Sequence, residues 1–560
     1  MLSQFLKRYS RSVLFVIIAT ATLIIGLACS NSTTPASAPA APYVAPTAAP
    51  AATQAPIATS TPRPITVPAD TGPKYGGVLR FPLTISIDAP DPHYSIFTGT
   101  RRILWLVYNS LVIQTATETV APSLTKSWEV SGDGKEITFN LEKGVKFQDG
   151  TDFNAQAVKW NFDRMMDPEV QSPRKNQLIP LQRVEVVDDN TIKMYLEVAF
   201  RPFLANLTLR PGQISSPTAI NAADSYADRN GDFGRNPVGT GPFVLDEWKP
   251  DRHFKLSRNP NYWEEGLPYL DGVYIPVIPD TSIQFAMLRT GELDIIEGMR
   301  PEDRPVIERN PNIKTVVHKG TSTYMLFFKM DMPPFDNQLI RNAIAKGIDR
   351  DIMTRVGFSN AAVPAYSVIG PSMNDWYDPD VTTNSYDPEG AKQLMAQAGY
   401  ADGFSFTFPT RDRNLLKVEI IQTMLADIGI NMNIITYETK TYWSDFVQDK
   451  HDGPLFTYFS PRPDPHILLR RLYHTKGAYG NNVFGYVDPK VDAMIDEAAT
   501  VFDPIKAKQA YNGVLKTVAA EGPVIPLAWS NVFFAMGSDV IGFAPRPDRV
   551  PRLGFLWLDR

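Results

Sequence analysis

Catalysis and metal binding need particular side chains at particular spacings, and few such sets stand out in these 560 residues. Six histidines are present. His466 and His474 are two helical turns apart, roughly 12 Å, too far to share one ion without further ligands. Capping or surface roles are expected for both. Asp228-x-Asn230-x-Asp232 opens like a calcium loop, but Phe233 stands where that loop needs glycine and Gly239 where it needs a bidentate glutamate. A polar turn is expected there. No Gly-rich phosphate loop ending in Lys-Ser/Thr, zincin helix or Gly-x-Ser-x-Gly elbow occurs. Carboxylates are plentiful, yet no spacing demands acid–base work. No catalytic residue, metal or cofactor is therefore expected.

The one cysteine, Cys29, excludes disulfides and thiolate metal sites. It ends an apolar run, Val13–Ala28, that follows Lys7, Arg8 and Arg11. The run is shorter than the ~20 residues that a membrane helix needs, and long enough for the apolar core of a signal peptide. Gly26-Leu27-Ala28-Cys29 resembles a lipobox, in which the cysteine is acylated and becomes the first residue after cleavage. Residues 1–29 are accordingly expected to be a lipoprotein signal peptide, with Cys29 the lipid attachment site. Residues 30–73 are rich in Ala, Pro and Thr and lack apolar periodicity. They are expected to form a disordered tether, able to extend on the order of 130 Å at about 3.1 Å per residue. With a net charge of −5 and no basic block, no nucleic-acid partner is expected. The membrane is met through the lipid anchor only, on the outer face of the cell membrane.

From Lys74 the pattern becomes globular. Gly77–Phe81 and Ile137–Leu141 alternate like strands, and further strands are predicted at 184–187, 191–196, 243–248, 253–257 and 273–278. Asn154 caps a helix carrying Val158, Phe162 and Met165. Asp336 is positioned to cap one carrying Ile340, Ile344 and Ile348. Asp387-Pro388 starts a helix that Gly399 stops. A helix over Val418–Ile428 leads to a strand over Asn431–Tyr437. Asp464-Pro465 opens a helix through Tyr473, and 491–499 and 505–519 read as two more. Interleaved strands and helices predict an α/β fold.

Five separated blocks carry a resemblance. They are Ala121–Leu124 with Ser127–Val130 and Lys143–Thr151; Gly239–Phe243 with Glu247-Trp248 and Arg258–Trp263; Leu288–Asp294; Pro334–Asn337 with Arg341–Ile344 and Ile348–Arg350; and Tyr386–Glu389 with Ala391–Leu394 and Ala398–Tyr400. In this order they resemble the family 5 solute-binding proteins, the peptide and nickel receptors of ABC importers. Trp128, Trp248 and Trp263 are expected in the core. The resemblance implies a periplasmic-binding-protein-like clamshell, two lobes joined by two crossing strands, with an extra domain on lobe one. Residues 74–110, 236–330 and 526–560 would form lobe one, 111–235 the extra domain, and 331–525 lobe two. A peptide or other small polar organic solute would be captured between the lobes and delivered to an ABC permease and ATPase complex, by a protein acting as a monomer. A secreted hydrolase and a signalling or chaperone-like receptor on the same scaffold are the alternatives. A hydrolase would need a nucleophile–base pair that the sequence does not show.

The resemblance also indicates a ligand segment. In peptide receptors of this family an aromatic residue is followed, three positions on, by an aspartate that pairs with the peptide amine, and then by Asp-Pro. With Asp464-Pro465 as anchor, Tyr458 falls on the aromatic and Pro461 on the amine-binding aspartate, with Arg462 beside it. An arginine there can take a carboxylate or phosphate through a bidentate fork. Tyr458, Phe459 and Arg462 of lobe two, with His93 and Phe97 of lobe one, are the ligand-binding candidates. Asp464 is expected to cap its helix.

Overall fold

The computed structural model describes residues 72–560 apart from 86, 98, 116–118, 225, 229–230, 300–302, 374, 439–440, 443–452, 460–463 and 547–549, with backbone alone at 319–321 and 482. Cys29, the signal segment, the tether up to residue 71, Asn230, Pro461 and Arg462 thus lie outside the described residues. The chain divides into Met1–Ala69 and Asp70–Arg560, and the description below concerns the second unit.

Strand Val78–Arg80 pairs in parallel with Gly272–Pro276. Antiparallel partners His253–Arg258 and Phe243–Lys249 complete a four-stranded sheet. Leu79, Val273, Phe254 and Phe243 bury its inner face. Helix Thr100–Val107 lies against it with every residue buried. A buried arginine needs partners, and Arg102 has them: it pairs with Glu297 at 2.7 Å and stacks on Phe81.

A second sheet is wholly antiparallel, in the order Thr125–Val130, Glu136–Leu141, Thr191–Leu196, Leu181–Asp188. Alternation is clear in Glu136–Leu141, where Ile137, Phe139 and Leu141 are buried. Helix Ala155–Met166 covers the sheet with Val158, Phe162 and Met165, and the Asn154 carboxamide caps it on the Ala157 N–H.

The third sheet holds two long strands, Ile313–Phe327 and Val524–Gly537, paired antiparallel. Ile295–Glu297, Leu455–Phe459 and Ala362–Pro364 flank them. Val532, Phe534 and Met536 join the core of the first sheet, whereas Val524, Ile525 and Leu527 pack among residues of 325–528. These two strands therefore run from one core into another.

Strand Phe404–Arg411, helix Leu415–Ala426 and strand Ile430–Tyr437 form a parallel βαβ unit. Gly403, at φ +78°, lies so close to Gly429 that a β-carbon would sit 1.9 Å from its carbonyl oxygen. Only glycine lets the two strands start side by side. Asp387 and Asp464 cap their helices, with Pro388 and Pro465 in the first turn. The helix Gln338–Gly347 corrects one expectation: its cap is Asn337, accepting from the Leu339 N–H at 2.9 Å, and not Asp336. Trp248 stacks on Phe254, and Trp263 donates its indole N–H to Asn109; these two and Trp128 are half-buried against the cores. Among the described residues no helix is long and apolar enough to cross a membrane.

Candidate ligand-binding site

In open α/β sheets ligands bind beyond the carboxyl ends of the strands. Strand Phe404–Arg411 ends in Arg411, and a short turn, Asp412–Asn414, leads straight into helix Leu415–Ala426. Strand Leu455–Phe459 ends in Tyr458 and Phe459. These ends gather cations around aromatic rings. The Arg413 guanidinium lies 5.8 Å from the Tyr458 ring centroid, Arg411 4.9 Å from Tyr442, and the Lys417 ammonium 4.9 Å from Phe358. Tyr458 faces Tyr324 across the strand pair, ring centroids 5.0 Å apart.

The positive charges oppose one another. Burial, and then Arg413, lower the pKa values of both Arg411 and Lys417. Burial pushes the Tyr442 phenol up to about 12, against the pull of Arg411 and Arg413. Among the described residues no carboxylate forms an ion pair with Arg413 or Lys417. Buried polar atoms nearby add to the picture: Thr410 Oγ1, Asn414 Nδ2 and Thr457 Oγ1 have no hydrogen-bond partner among the described residues. Such groups ordinarily meet water or a ligand. Asn414 begins the 12-residue helix without capping it through its own side chain, and a helix N-terminus favours negative charge. Chemically, the arrangement can hold an anion against an aromatic wall.

The comparisons with known proteins bear on what such a site serves. A family model described as "Bacterial extracellular solute-binding proteins, family 5 Middle" matches residues 119–480. The chain belongs to the family 5 bacterial extracellular solute-binding proteins. Glutathione-binding protein GsiB of Shigella flexneri serotype 5b is 30% identical over 449 residues, 76% of this chain and 84% of that protein. Heme-binding protein A of Haemophilus influenzae is 30% identical over 475 residues, 79% of this chain and 85% of that one. The periplasmic binding protein DppA of Helicobacter pylori, solved with the peptide STSA, superposes with a TM-score of 0.76 at 27% identity, covering 87% of this chain and 99% of that one. This family 5 protein is thus a substrate-binding protein of an ABC transporter for peptides or similar solutes, with a mixed α/β fold, in a family of non-enzymatic binders.

The candidates from sequence fall in different places in this family 5 protein. Tyr458 is half-buried beside Arg413. Phe459 points to the opposite face, as alternation requires, and is buried against Phe327, Tyr479 and Arg471. Arg462 lies outside the described residues. Phe97 is half exposed; its N–H and that of Ile96 donate to Asp88, and its carbonyl accepts from Arg210.

His93 is fully buried. Arg164 donates to its Nδ1 at 2.9 Å and pairs with Asp91 at 2.9 Å. Burial and Arg164 push the His93 imidazole down to about 3. Its ring braces the first sheet's loop against helix Ala155–Met166 and presents no surface to a solute. Of the capping or surface roles expected for His466 and His474, the surface role needs correction, because both are buried, whereas His474 does stand at the C-cap of helix Pro465–Tyr473. His466 stacks edge-on against Phe200 at 5.0 Å, and His474 meets Asp496 at 3.2 Å. Sequence reading passed over Arg411, Arg413 and Lys417. The signal available was an Arg-Asp-Arg-Asn run between a strand and a helix.

Proposed function

We propose that the solute is an anionic, peptide-like molecule whose negative group is met by Arg411, Arg413 and Lys417 and whose body lies against Tyr458. The observation that carries this reading is the cation cluster at the strand ends, in which Arg413 and Lys417 have no carboxylate ion-pair partner among the described residues. Pro461, at the position of the amine-binding aspartate in related peptide receptors, supports a ligand held by its anionic groups more than by a free amine. Arg462 adds a further cation to the same segment. GsiB is named for glutathione, a tripeptide with two carboxylates, and a molecule of that class fits the charge. The reading extends to delivery: the solute passes to an ABC permease and ATPase complex, and the folded unit is tethered at the outer face of the membrane through a lipid on Cys29. Lobe one, the extra domain and lobe two are taken at 74–110 with 236–330 and 526–560, at 111–235, and at 331–525.

Calorimetry of ligand-stripped protein tests the charge preference, with glutathione, its amide-capped form and Ala-Ala as probes. Glutathione should bind at least about tenfold more tightly than its capped form, about 1.4 kcal/mol. Arg413→Ala and Arg462→Ala should each lose at least that much, within the ~2–5 kcal/mol typical of truncating one partner of a desolvated charge pair. Equal affinity for capped and uncapped probes, or unchanged affinity in both variants, would return a free-amine peptide to first place.

A further inference from the structure

Residues 197–202 follow strand Thr191–Leu196 of the second sheet and stay against it: the Glu197 N–H donates to the Pro180 carbonyl at 3.0 Å, and Phe200 packs on that sheet's core. Phe200 and Arg201 also reach across to the helices that follow the ligand segment. The Arg201 guanidinium pairs with Asp464 at 2.6 Å, and Asp464 has 2% of its side chain exposed against 16% for Arg201. The same guanidinium lies over the Trp376 ring at 4.5 Å and near Tyr511 at 5.6 Å. The Arg201 N–H donates to the Ala499 carbonyl at 2.9 Å. Phe200 meets His466 edge-on at 5.0 Å. Gly134, in the neighbouring hairpin, lies against Phe502, so closely that a β-carbon there would sit 2.4 Å from that ring.

Asp464 holds two jobs at once. Its carboxylate caps helix Pro465–Tyr473 by accepting from the His466 N–H at 2.8 Å, and it receives Arg201. Left alone, a carboxylate this deeply buried would carry a heavy desolvation cost. The start of helix Pro465–Tyr473 is therefore fixed by a residue that follows a strand of the second sheet, more than 250 positions earlier in the chain.

We propose that Arg201 is a positioning residue: it latches the second sheet to the helix start at Asp464 and so holds the first turn of helix Pro465–Tyr473 in place. The link to ligand affinity rests on the proposed reading that Tyr458 and Arg462, a few positions before that helix, contact the solute. The latch itself rests on the contacts alone. It makes the fixing of the helix start and its docking on residues 197–202 one event, so that a solute stabilising either stabilises both.

Hydrogen exchange followed by mass spectrometry on the full chain tests the latch without any ligand. Arg201→Met should raise exchange at least about tenfold in two places together, residues 197–202 and the first turns of helix Pro465–Tyr473, and leave the sheet around Thr191–Leu196 protected. Arg201→Lys, which keeps a charge able to reach Asp464, should give a smaller rise. Should Arg201→Met fail to fold because it strands the Asp464 charge, Arg201→Met combined with Asp464→Asn removes both charges and should show the same joint loosening. Unchanged exchange at residues 465–469 in the folded variants, or loosening confined to 197–202, would overturn the proposal. Calorimetry with glutathione then reads the coupling: Arg201→Met should weaken binding about tenfold by faster release. Undiminished affinity would overturn the coupling, whereas a wild type that does not bind glutathione would refute the proposed solute class and leave the exchange result to decide the latch.

Discussion

His93 offers a sharp quantitative test of the buried scaffold. Arg164 donates to Nδ1, so the ring's single proton sits on Nε2. Protonating Nδ1 would break that hydrogen bond and set an imidazolium against a guanidinium in a site with no exposed surface. The folded pKa is accordingly depressed to about 3 from 6.5. The sign follows directly: the unfolded chain takes up a proton below pH 6.5 and the folded chain does not, so stability is fully present above pH 6.5 and is lost progressively as pH falls towards 3. At pH 5 the loss from this one group is about 2 kcal/mol, from RT ln(1 + 10^1.5). His466, likewise depressed to about 3 by burial and by Arg470, adds a similar share. Between pH 6.5 and 5 most unfolded carboxylates remain ionised, so the histidines dominate this window. The assay is imidazole NMR, with the His93 resonance assigned by its loss in His93→Gln. That ring should stay neutral at pH 5, and the variant should lose less of its melting temperature than wild type between pH 7 and pH 5. A His93 ring that titrates near 6.5 in the folded protein, or identical pH dependence of the two melting curves, would refute the reasoning.

Cys29→Ser should move the protein from the membrane fraction to the soluble one, as read by fractionation; retention with membranes at the wild-type level would remove the lipid anchor from the account. Deleting residues 31–72 should change the stability of the folded unit by less than about 1 kcal/mol, because a solvated segment buries no core, and a larger drop in a denaturant titration would show that the segment packs.

Helices were legible where local chemistry marks them. Asp387-Pro388, Asp464-Pro465 and Asn154 each cap and start a helix by interactions within a few residues, and short-range patterns capture such interactions. The Asp336 expectation failed by one position, since Asn337 offers an equally good oxygen one residue closer to the first turn. Strands with one wet face, such as Glu136–Leu141, showed alternation. Val524–Gly537 did not, because eleven of its fourteen residues lie in runs buried on both faces and only Ser530, Asn531 and Gly537 are less enclosed. Its partner Ile313–Phe327 carries a register break between His318 and Ser322 that interrupts any period of two. The candidate site was harder still. Arg413 and Tyr458 are 45 positions apart and meet only because two strands end at the same edge, while His93 finds Arg164 across 71 positions.

The blocks that identify the family bind one another, and this explains why they reveal the fold and not the solute. The Gln148 amide donates to the carbonyls of Phe243 at 2.8 Å and Gly241 at 3.2 Å, and its oxygen accepts from the Gly239 N–H. Asn259 donates to the Gly241 carbonyl at 2.9 Å. A β-carbon on Gly241 would sit 2.5 Å from the Leu106 carbonyl oxygen, so the third residue of Gly239-Thr240-Gly241 can have no side chain. Farther along, Lys346 pairs with Asp387 at 2.8 Å, and Arg341 donates to the carbonyls of Phe335 and Glu521. These signature residues are occupied by other parts of the frame. The residues free to vary without breaking those bonds, among them Arg413, Tyr458, Pro461 and Arg462, lie after the last block. Solute selectivity in this fold can therefore change from one protein to another while the motifs stay put. Relatives about 30% identical over three quarters of this chain, one named for glutathione and one for heme, are what such a division of labour produces.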